Sequence, residues 1–256
     1  DINALFNSPV LGYNSKDDIV YQFWANRDSH EVYYFDPKTD YAPTTAISSI
    51  SWDDPNFPNI EGFGVWAAKC NFTMGPDGKM YSRMLGGNLV RIDVENARGE
   101  NLTNGDLVGT KDGSAYGLVF DPQDENVFYF SNNDKHCIYK YDLRTKECAC
   151  WAGQEGKSGY LDGPIGQAMF NKPGQMCVDS EGNIILTDTE NHCIRKITMS
   201  TGYVSTLAGK PQNSGYVNGS AEDAQFKKPL GICIDNNDVM YIGDSENRAI
   251  RRLAVE

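Results

Sequence analysis

Short apolar runs separated by polar turns recur along the second half of the chain. Runs such as MCVD, IILTD and CIRKI contain about five residues each, and Gly, Asn and Asp fill the turns between them. This spacing predicts β-strands, because the apolar period of 3.6 residues that marks a helix is absent. The first two runs of each set are apolar at consecutive positions, which predicts strands that are covered on both faces. The pattern therefore predicts an all-β fold.

One segment of 40 residues occurs twice. Residues 158–197 align with residues 214–253 without a gap, at an offset of 56 residues, and 15 of the 40 positions are identical. A third copy lies at residues 117–143, a weaker fourth at 73–93, and residues 19–36 have the same succession of strand, turn and strand. Repeats of this length are typical of architectures in which each copy packs on the next. A four-stranded unit buried on both faces describes a blade of a β-propeller.

The repeated motif, with TLAG, SGYVNG, GICID and YIGDSENRAIRRL in succession, resembles the NHL repeat, and the chain resembles six-bladed NHL propellers. The resemblance implies a single propeller over residues 1–256, of which about five blades are visible. Their predicted limits are 1–51, 60–110, 114–153, 170–209 and 227–256. The last blade contains only three strands, and an open ring leaves unpaired sheet edges. We expect upstream sequence or the N-terminal segment to supply the missing strand.

The Gly-rich segments between the blades are similar to those of certain bacterial cell-surface proteins. In those proteins an immunoglobulin-like IPT/TIG domain precedes an NHL propeller. The resemblance implies that such a domain lies upstream of this chain. It also implies a secreted or surface-exposed protein that is lipid-anchored at full length. The chain opens at Asp1 without an initiator Met or a signal peptide, so we interpret it as a processed or trimmed product.

An aspartate and an arginine seven residues later recur at the same place in two copies. They are Asp188 with Arg195, and Asp244 with Arg251. Each aspartate ends the second predicted strand, where its side chain can cap the amides of the following turn. Each arginine lies diagonally across the same hairpin, within reach of a cross-strand contact. Because the pair is repeated by the fold, we interpret it as structural, with a metal or catalytic role as the minor alternative.

Composition excludes several classes of function. The formal net charge of −12 and the lack of a long basic run argue against binding to nucleic acid. No apolar run approaches the roughly 18 residues that a membrane-spanning helix needs, so we expect no transmembrane segment. The motifs of serine hydrolases, zinc proteases and P-loop proteins are absent. The absence of these motifs favours a binding protein over an enzyme.

The histidines and cysteines also follow the repeat. His136 and His192 occupy one repeat position, which argues against a converging zinc site. The cysteines recur at the same offset of 56 residues, as Cys137 with Cys193 and Cys177 with Cys233. Equivalent points on different blades should lie too far apart for a disulfide. We therefore expect these four cysteines to be buried free thiols.

Function in a repeat fold is expected in the segments that do not repeat, which are mostly loops. The most irregular segment, residues 51–66, combines aromatic rings with carboxylates and turn-forming residues. Rings stack on the apolar faces of sugars while carboxylates bind hydroxyl groups, although the same residues also suit a packed loop. The candidate ligand contacts in this segment are Trp52, Asp53, Asp54, Phe57 and Trp66.

The two repeated loops between blades offer one further pair of candidates. Tyr160 and Tyr216 occupy equivalent positions in residues 153–170 and 209–226. They could line the mouth of the channel and contact a ligand. The alternative is that Phe170 and its counterpart anchor each loop under the next blade while the tyrosine covers it.

We therefore predict a non-enzymatic binding or interaction module, a monomer without a cofactor, whose loop face recognises a glycan or a protein. The alternative is a metal-dependent hydrolase or lyase that resembles the sugar lactonases, with calcium in the central channel. The ligands of such a metal cannot be matched to positions in this sequence, so no metal-binding and no catalytic residue is assigned.

Overall fold

The computed structural model of the chain describes residues 10–14, 17–23, 32–48, 50–53, 71–83, 88–103 and 116–254. Within these ranges the chain forms β-strands and short 3-10 turns and contains no α-helix. The prediction of an all-β fold is confirmed. Among the same residues, no helix has the length and apolar character needed to cross a membrane. The chain divides into two compact units, residues 1–111 and 112–256, and each is described by itself.

The first unit contains nine described strands. They are β1 (Val10–Asn14), β2 (Ile19–Phe23), β3 (Val32–Phe35), β4 (Pro43–Ile47), β5 (Ser51–Trp52), β6 (Phe72–Met74), β7 (Met80–Arg83), β8 (Leu89–Asp93) and β9 (Arg98–Asn101). Their order in one sheet is β4-β3-β2-β1-β6-β7-β8-β9-β5. Two antiparallel meanders, β1 to β4 and β6 to β9, are joined by the parallel pairing of β1 with β6. The short strand β5 runs parallel to β9 at the edge.

The second unit contains twelve described strands. They are β10 (Leu118–Phe120), β11 (Val127–Asn132), β12 (Cys137–Asp142), β13 (Cys148–Gly153), β14 (Gly163–Pro164), β15 (Pro173–Val178), β16 (Ile184–Asp188), β17 (Cys193–Thr198), β18 (Tyr203–Ala208), β19 (Pro229–Ile234), β20 (Met240–Asp244) and β21 (Ala249–Leu253). Strands β10 to β13 form sheet A, β14 to β18 form sheet B, and β19 to β21 form sheet C. Sheet B has the order β14-β18-β17-β16-β15, and its four long strands are an antiparallel meander.

Sheet B is buried on both faces, as the continuous apolar runs predict. One face packs against sheet A, where Ile184 and Leu186 join a cluster with Val127 and Tyr129. The other face packs against sheet C, where Ile185 joins a cluster with residues that include Ile232 and Ile242. Burial of apolar side chains on both sides contributes about 25 cal/mol for each Å² removed from water. Packing between neighbouring sheets therefore dominates the stability of this unit.

Two loops, one between sheets A and B and one between sheets B and C, are anchored by the same pair of a glycine and a phenylalanine. Gly153 and Gly209 end the outer strands with φ values of +93° and +97°. A Cβ atom at Gly153 would lie 2.9 Å from the ring of Phe170. At Gly209 the ring of Phe226 would be 3.0 Å away. Glycine is therefore needed both for the backbone conformation and for the close approach of the phenylalanine that anchors each loop.

The buried guanidinium of Arg195 joins strand β17 to the loop that precedes sheet B. Its Nη1 atom donates to Asp188 Oδ2 at 2.6 Å and to the carbonyl of Met169 at 3.1 Å. Its Nη2 atom donates to Asp162 Oδ1 at 2.7 Å and to the carbonyl of Leu161 at 2.9 Å. Burial raises the pKa of Asp188 to about 6, so this carboxylate is ionised at neutral pH. The arginine thus connects strand β17 to a loop about thirty residues earlier in the sequence.

Arg251 repeats this arrangement in sheet C. Nη1 donates to Asp244 Oδ2 at 2.9 Å and to the carbonyl of Gln225 at 3.0 Å. Nη2 donates to the carbonyl of Val217 and to Asn218 Oδ1, both at 2.7 Å. The contact between aspartate and arginine is therefore present in both copies, and each arginine uses four oxygen acceptors.

The expected capping role of the two aspartates is wrong. Neither Asp188 nor Asp244 bonds through its side chain to the amides of the 3-10 turn that follows it. Instead, Oδ1 of each accepts from a backbone N–H seventeen residues earlier, in Asn171 and in Lys227, at 2.7 Å. The carboxylate turns inward because the buried arginine lies on that side and attracts it.

The expectation of buried free thiols is correct for three cysteines and wrong for one. Cys137, Cys177 and Cys193 are free and buried, whereas Cys233 is free and exposed. Cys177 lies on the face of sheet B that sheet C covers and belongs to the apolar cluster there, whereas Cys233 does not belong to that cluster. Burial raises the pKa of the Cys177 thiol to about 12.

Replacement of Asp188 by alanine should strongly destabilise the protein. The change leaves the guanidinium of Arg195 buried without its carboxylate, which costs about 3–5 kcal/mol. Urea denaturation of the full chain measures the loss. The matched control is Asp124→Ala, because Asp124 pairs with an exposed Arg144 at the surface. Similar losses for the two variants would contradict a structural role for the buried pair.

Thiol labelling of the native protein should distinguish two cysteines at the same repeat position. Iodoacetamide at pH 8 should modify Cys233 roughly tenfold or more faster than Cys177, because burial shields the Cys177 thiol and holds it protonated. Peptide mapping by mass spectrometry measures both rates. Equal rates would show that Cys233 is as well covered as its counterpart.

Candidate functional site

The first unit places two of the predicted ligand contacts, Trp52 and Asp53, beside strand β9. Ser51 and Trp52 pair with Arg98 and Gly99 in parallel register. The indole of Trp52 lies directly over Gly99, where a Cβ atom would be 2.5 Å from its Cε3 atom. Gly99 is therefore required for the indole to approach the sheet, and this packing fixes the position of the ring.

The carboxylate of Asp53 is fixed by the same strand. Its backbone N–H donates to the carbonyl of Gly99 at 3.0 Å. Its Oδ1 atom accepts from the backbone N–H of Asn101 at 3.1 Å. Asp53 is nevertheless exposed. The carboxylate and the indole lie on opposite faces of the strand pair, because neighbouring side chains alternate along a strand, and only Asp53 faces the groove described next.

A groove of about 200 Å³ adjoins Asp53 and is lined almost entirely by charged side chains. Its lining residues are Asp53, Lys79, Arg91, Asp93, Arg98, Gly99 and Glu100. Two ion pairs form between residues that line the groove. Arg91 pairs with Glu100, from Nε to Oε2 at 3.0 Å, and Lys79 pairs with Asp93 at 3.6 Å. The groove is smaller than most drug-sized pockets and matches a single sugar ring or one charged side chain.

The groove contains three cations, Lys79, Arg91 and Arg98, and among the described residues only Arg98 has no acidic partner. Its side chain is exposed, and it forms no ion pair with any residue in the part of the chain that the structure describes. Arg98 is opposite Ser51 in the strand pairing and lines the groove together with Asp53. The guanidinium and the carboxylate can bind a hydroxylated or charged ligand through hydrogen-bond donors and acceptors.

Analysis of the sequence missed the charged residues of this groove. Arg98 and Glu100 are two residues apart on β9, so both point to one face of the strand. Arg91 lies on the neighbouring strand β8, and Lys79 immediately precedes β7. The alternation of charged residues along β9 could have been recognised in the sequence. The pairing of β5 with β9, which are about fifty residues apart, could not. The other predicted contacts of this segment, Asp54, Phe57 and Trp66, lie outside the described residues.

In the second unit, Tyr160 and Tyr216 both cover a buried arginine. The guanidinium of Arg195 lies 4.9 Å from the ring centroid of Tyr160 and 5.1 Å from that of Phe170. Arg251 lies between the rings of Tyr216 and Phe226 at 4.9 and 5.0 Å. Each arginine is thus enclosed by two aromatic rings as well as by four hydrogen-bond acceptors.

The two tyrosines differ in their surroundings. The hydroxyl of Tyr160 bonds to Thr206 Oγ1 at 2.8 Å. Tyr216 is 61% exposed and forms no hydrogen bond through its hydroxyl among the described residues. The geometry assigns Tyr160 to the scaffold of sheet B and leaves the hydroxyl of Tyr216 available to a binding partner. Ligand contact by either ring stays a prediction.

The described histidines bond to the backbone. His136 Nδ1 accepts from the N–H of Lys172 at 3.1 Å, and His192 Nδ1 accepts from the N–H of Lys228 at 3.2 Å. Among the residues with described positions, no three His, Cys, Asp or Glu side chains come together in a way that could hold a metal ion.

Comparisons of the sequence find an NHL repeat and two groups of relatives. The model of the NHL repeat matches residues 170–197. The chain is 26% identical over 269 residues to Protein SUPPRESSOR OF QUENCHING 1, chloroplastic, of Arabidopsis thaliana, covering 97% of this chain and 25% of that protein. It is 30% identical over 152 residues to NHL repeat-containing protein 2 of Gallus gallus, covering 59% of this chain and 19% of that one. The chain thus spans a quarter or less of these relatives.

Two solved structures from Bacteroides resemble the fold. A structural genomics protein of unknown function from Bacteroides thetaiotaomicron superposes with a TM-score of 0.80 at 24% identity. An auxiliary nutrient binding protein from Bacteroides ovatus superposes with a TM-score of 0.71 at 22% identity. Each comparison covers 96% of this chain and 58% of the other. At this identity the likeness establishes the fold alone, which is an all-β propeller fold built from NHL-type repeats.

Proposed function

We propose that the chain is a non-enzymatic binding module that recognises a glycan or a protein at the bacterial cell surface. The observation that carries the proposal is the charged groove beside Asp53. It offers the guanidinium of Arg98, which forms no ion pair among the described residues, and a carboxylate held by a backbone amide. Such a set binds a ligand through several weak contacts and contains no activated nucleophile.

The names of two similar structures support a binding role. Two structures of similar fold, from Bacteroides ovatus and Bacteroides thetaiotaomicron, are named auxiliary nutrient binding proteins. The sequence resembles six-bladed NHL propellers and bacterial cell-surface proteins in which an IPT/TIG domain precedes the propeller. By analogy with those proteins, we propose that this chain belongs to a six-bladed ring that follows an IPT/TIG-like domain in a secreted, lipid-anchored protein. We further propose that the module acts as a monomer and needs no metal.

Substitutions in the groove should reduce glycan binding. Arg98→Ala removes an exposed cation that pairs with no acidic residue in the described part of the chain, so we expect unchanged stability and roughly tenfold weaker binding. A glycan array selects the ligand, and titration calorimetry on the full chain measures each affinity.

The matched control is Arg144→Ala, which removes an exposed arginine from the second unit. It should leave the affinity unchanged. A thermal-shift series with calcium accompanies the titrations. Stabilisation by calcium without a response to any glycan would contradict the proposal and favour the metal-dependent hydrolase or lyase. Equal affinities for Arg98→Ala and the unchanged chain would exclude the groove as the site.

A further inference from the structure

Sheet A contains two cysteines on neighbouring strands that face the same side. Cys137 begins β12, and Cys150 lies in β13. In the antiparallel register, Cys137 is opposite Gly153, and Tyr139 is opposite Cys150. Residues two positions apart on a strand share a face, so Cys137, Tyr139 and Cys150 all point to one side of the sheet. The two cysteines are therefore diagonal neighbours, close enough for their side chains to interact.

The backbone of the outer strand β13 comes close to Cys137. The strand pairing shifts register at Trp151, which is an extra residue in β13, and such a bulge bends the strand. Gly153 beyond the bulge has a φ value of +93°, and a Cβ atom there would lie 3.2 Å from the Cα atom of Cys137. The Sγ atom of Cys150 is 3.7 Å from the carbonyl oxygen of Gly153. The thiol of Cys150 is thus directed along the sheet towards Cys137.

The two thiols are free and hydrogen-bonded to each other. Cys137 donates to Cys150, and this hydrogen bond together with burial raises the pKa of Cys137. The same hydrogen bond lowers the pKa of Cys150. Cys137 is completely buried, whereas Cys150 is half-buried. Because the thiolate is the reactive form of cysteine, Cys150 is both the more accessible and the more reactive member of the pair.

Sheet B has the same backbone arrangement with only one of the two thiols. Cys193 occupies the repeat position of Cys137, and Thr206 occupies that of Cys150. The register shift in the pairing of β17 with β18 lies at the same place. The hydroxyl of Thr206 bonds to Tyr160 at 2.8 Å, and burial raises the pKa of the Cys193 thiol. The blade therefore folds without a second cysteine, and packing alone does not account for the pair in sheet A.

We propose that Cys137 and Cys150 are a redox-active pair, which closes to a disulfide between β12 and β13 when a small-molecule disulfide oxidises the protein. The hydrogen bond already places the two sulfur atoms next to each other on one face of the sheet, as such a bridge requires. The bridge would clamp the outer strand β13 to the rest of sheet A. This inference goes beyond the proposed glycan groove and does not depend on it.

The reaction consists of two exchange steps. The thiolate of Cys150 attacks one sulfur of the oxidant, whose other half leaves as a thiolate and takes up a proton. Cys137 then loses its proton and attacks the sulfur of Cys150, and the second half of the oxidant leaves in the same way. Two protein thiols and one small disulfide thus give one protein disulfide and two small thiols.

Peptide mapping of the oxidised chain tests the bridge. The full chain is reduced, desalted and incubated with oxidised glutathione at pH 8, and the remaining thiols are alkylated in urea before digestion with trypsin. The relevant peptides are HCIYK and ECACWAGQEGK. Mass spectrometry should find them joined through Cys137 and Cys150, with Cys148 alkylated. Dithiothreitol should separate them again. Cys193 is the internal control and should be recovered as an alkylated thiol.

Three variants test the roles of the individual thiols. Cys137→Ala removes the second nucleophile, so a mixed disulfide of Cys150 with glutathione should accumulate to at least tenfold the level in the unchanged chain. Cys150→Ser should leave Cys137 as a free thiol. Cys148→Ser is the matched control on the same strand and should leave the bridge intact.

Thermal denaturation measures the clamp. A disulfide restricts the unfolded chain, so the oxidised protein should have a Tm roughly 5 °C above that of the reduced protein. Cys150→Ser should have the same Tm under both conditions, because it cannot form the bridge.

Each of four outcomes overturns the inference. In the unchanged chain, a stable mixed disulfide on Cys150 would show that Cys137 is out of reach. Recovery of both cysteines as free thiols would show that the pair is not redox-active. A bridge between Cys148 and Cys150, or one between Cys137 and Cys150 that forms only in urea, would show that the native contact does not direct the reaction. Equal Tm values for the oxidised and reduced chains would show that the bridge does not clamp β13.

Discussion

A buried arginine with four oxygen acceptors and two aromatic rings is the interaction on which sheets B and C of the second unit depend. Arg195 and Arg251 carry a charge that would be prohibitively costly inside the protein without Asp188 and Asp244. Nη1 and Nη2 of each arginine also donate to carbonyl groups of the preceding loop, so the charge cannot be buried unless that loop is correctly placed. The cost of burying an unpaired guanidinium therefore fixes the position of the preceding loop. The arginine makes the position of the loop a condition of folding, which explains the spacing of seven residues that recurs in the sequence.

The same constraint explains where the copies are free to differ. Positions that contact the arginine are kept as carbonyl groups, carboxylates or amides, while positions one layer further out can change in size. Trp151 becomes Leu207 and Ile165 becomes Ala221 without loss of the loop conformation, because the bridges and the glycine geometry remain. Changes in side-chain volume are therefore tolerated at positions that do not contact the arginine.

The sequence was sufficient to predict the strands, the burial of both sheet faces and the contact between Asp188 and Arg195, because all three arise from local patterns. It was not sufficient for features that depend on distant segments. The inward turn of the aspartate is decided by a backbone amide seventeen residues away. The exposure of Cys233 is decided by what packs on its sheet. The groove beside Asp53 depends on the pairing of β5 with β9, for which no local signal exists. Blade limits and the ligand contacts of Tyr160 remain predictions.

The proposed binding groove of the first unit limits the chemistry of its ligand. The groove next to Asp53 offers charged side chains whose positions are fixed by ion pairs and by one backbone amide, so it discriminates by charge and hydroxyl geometry. Apolar surface contributes little, because the indole of Trp52 packs against Gly99 on the opposite face of the strand pair. A ligand without charged or hydroxyl groups would therefore gain little from the groove.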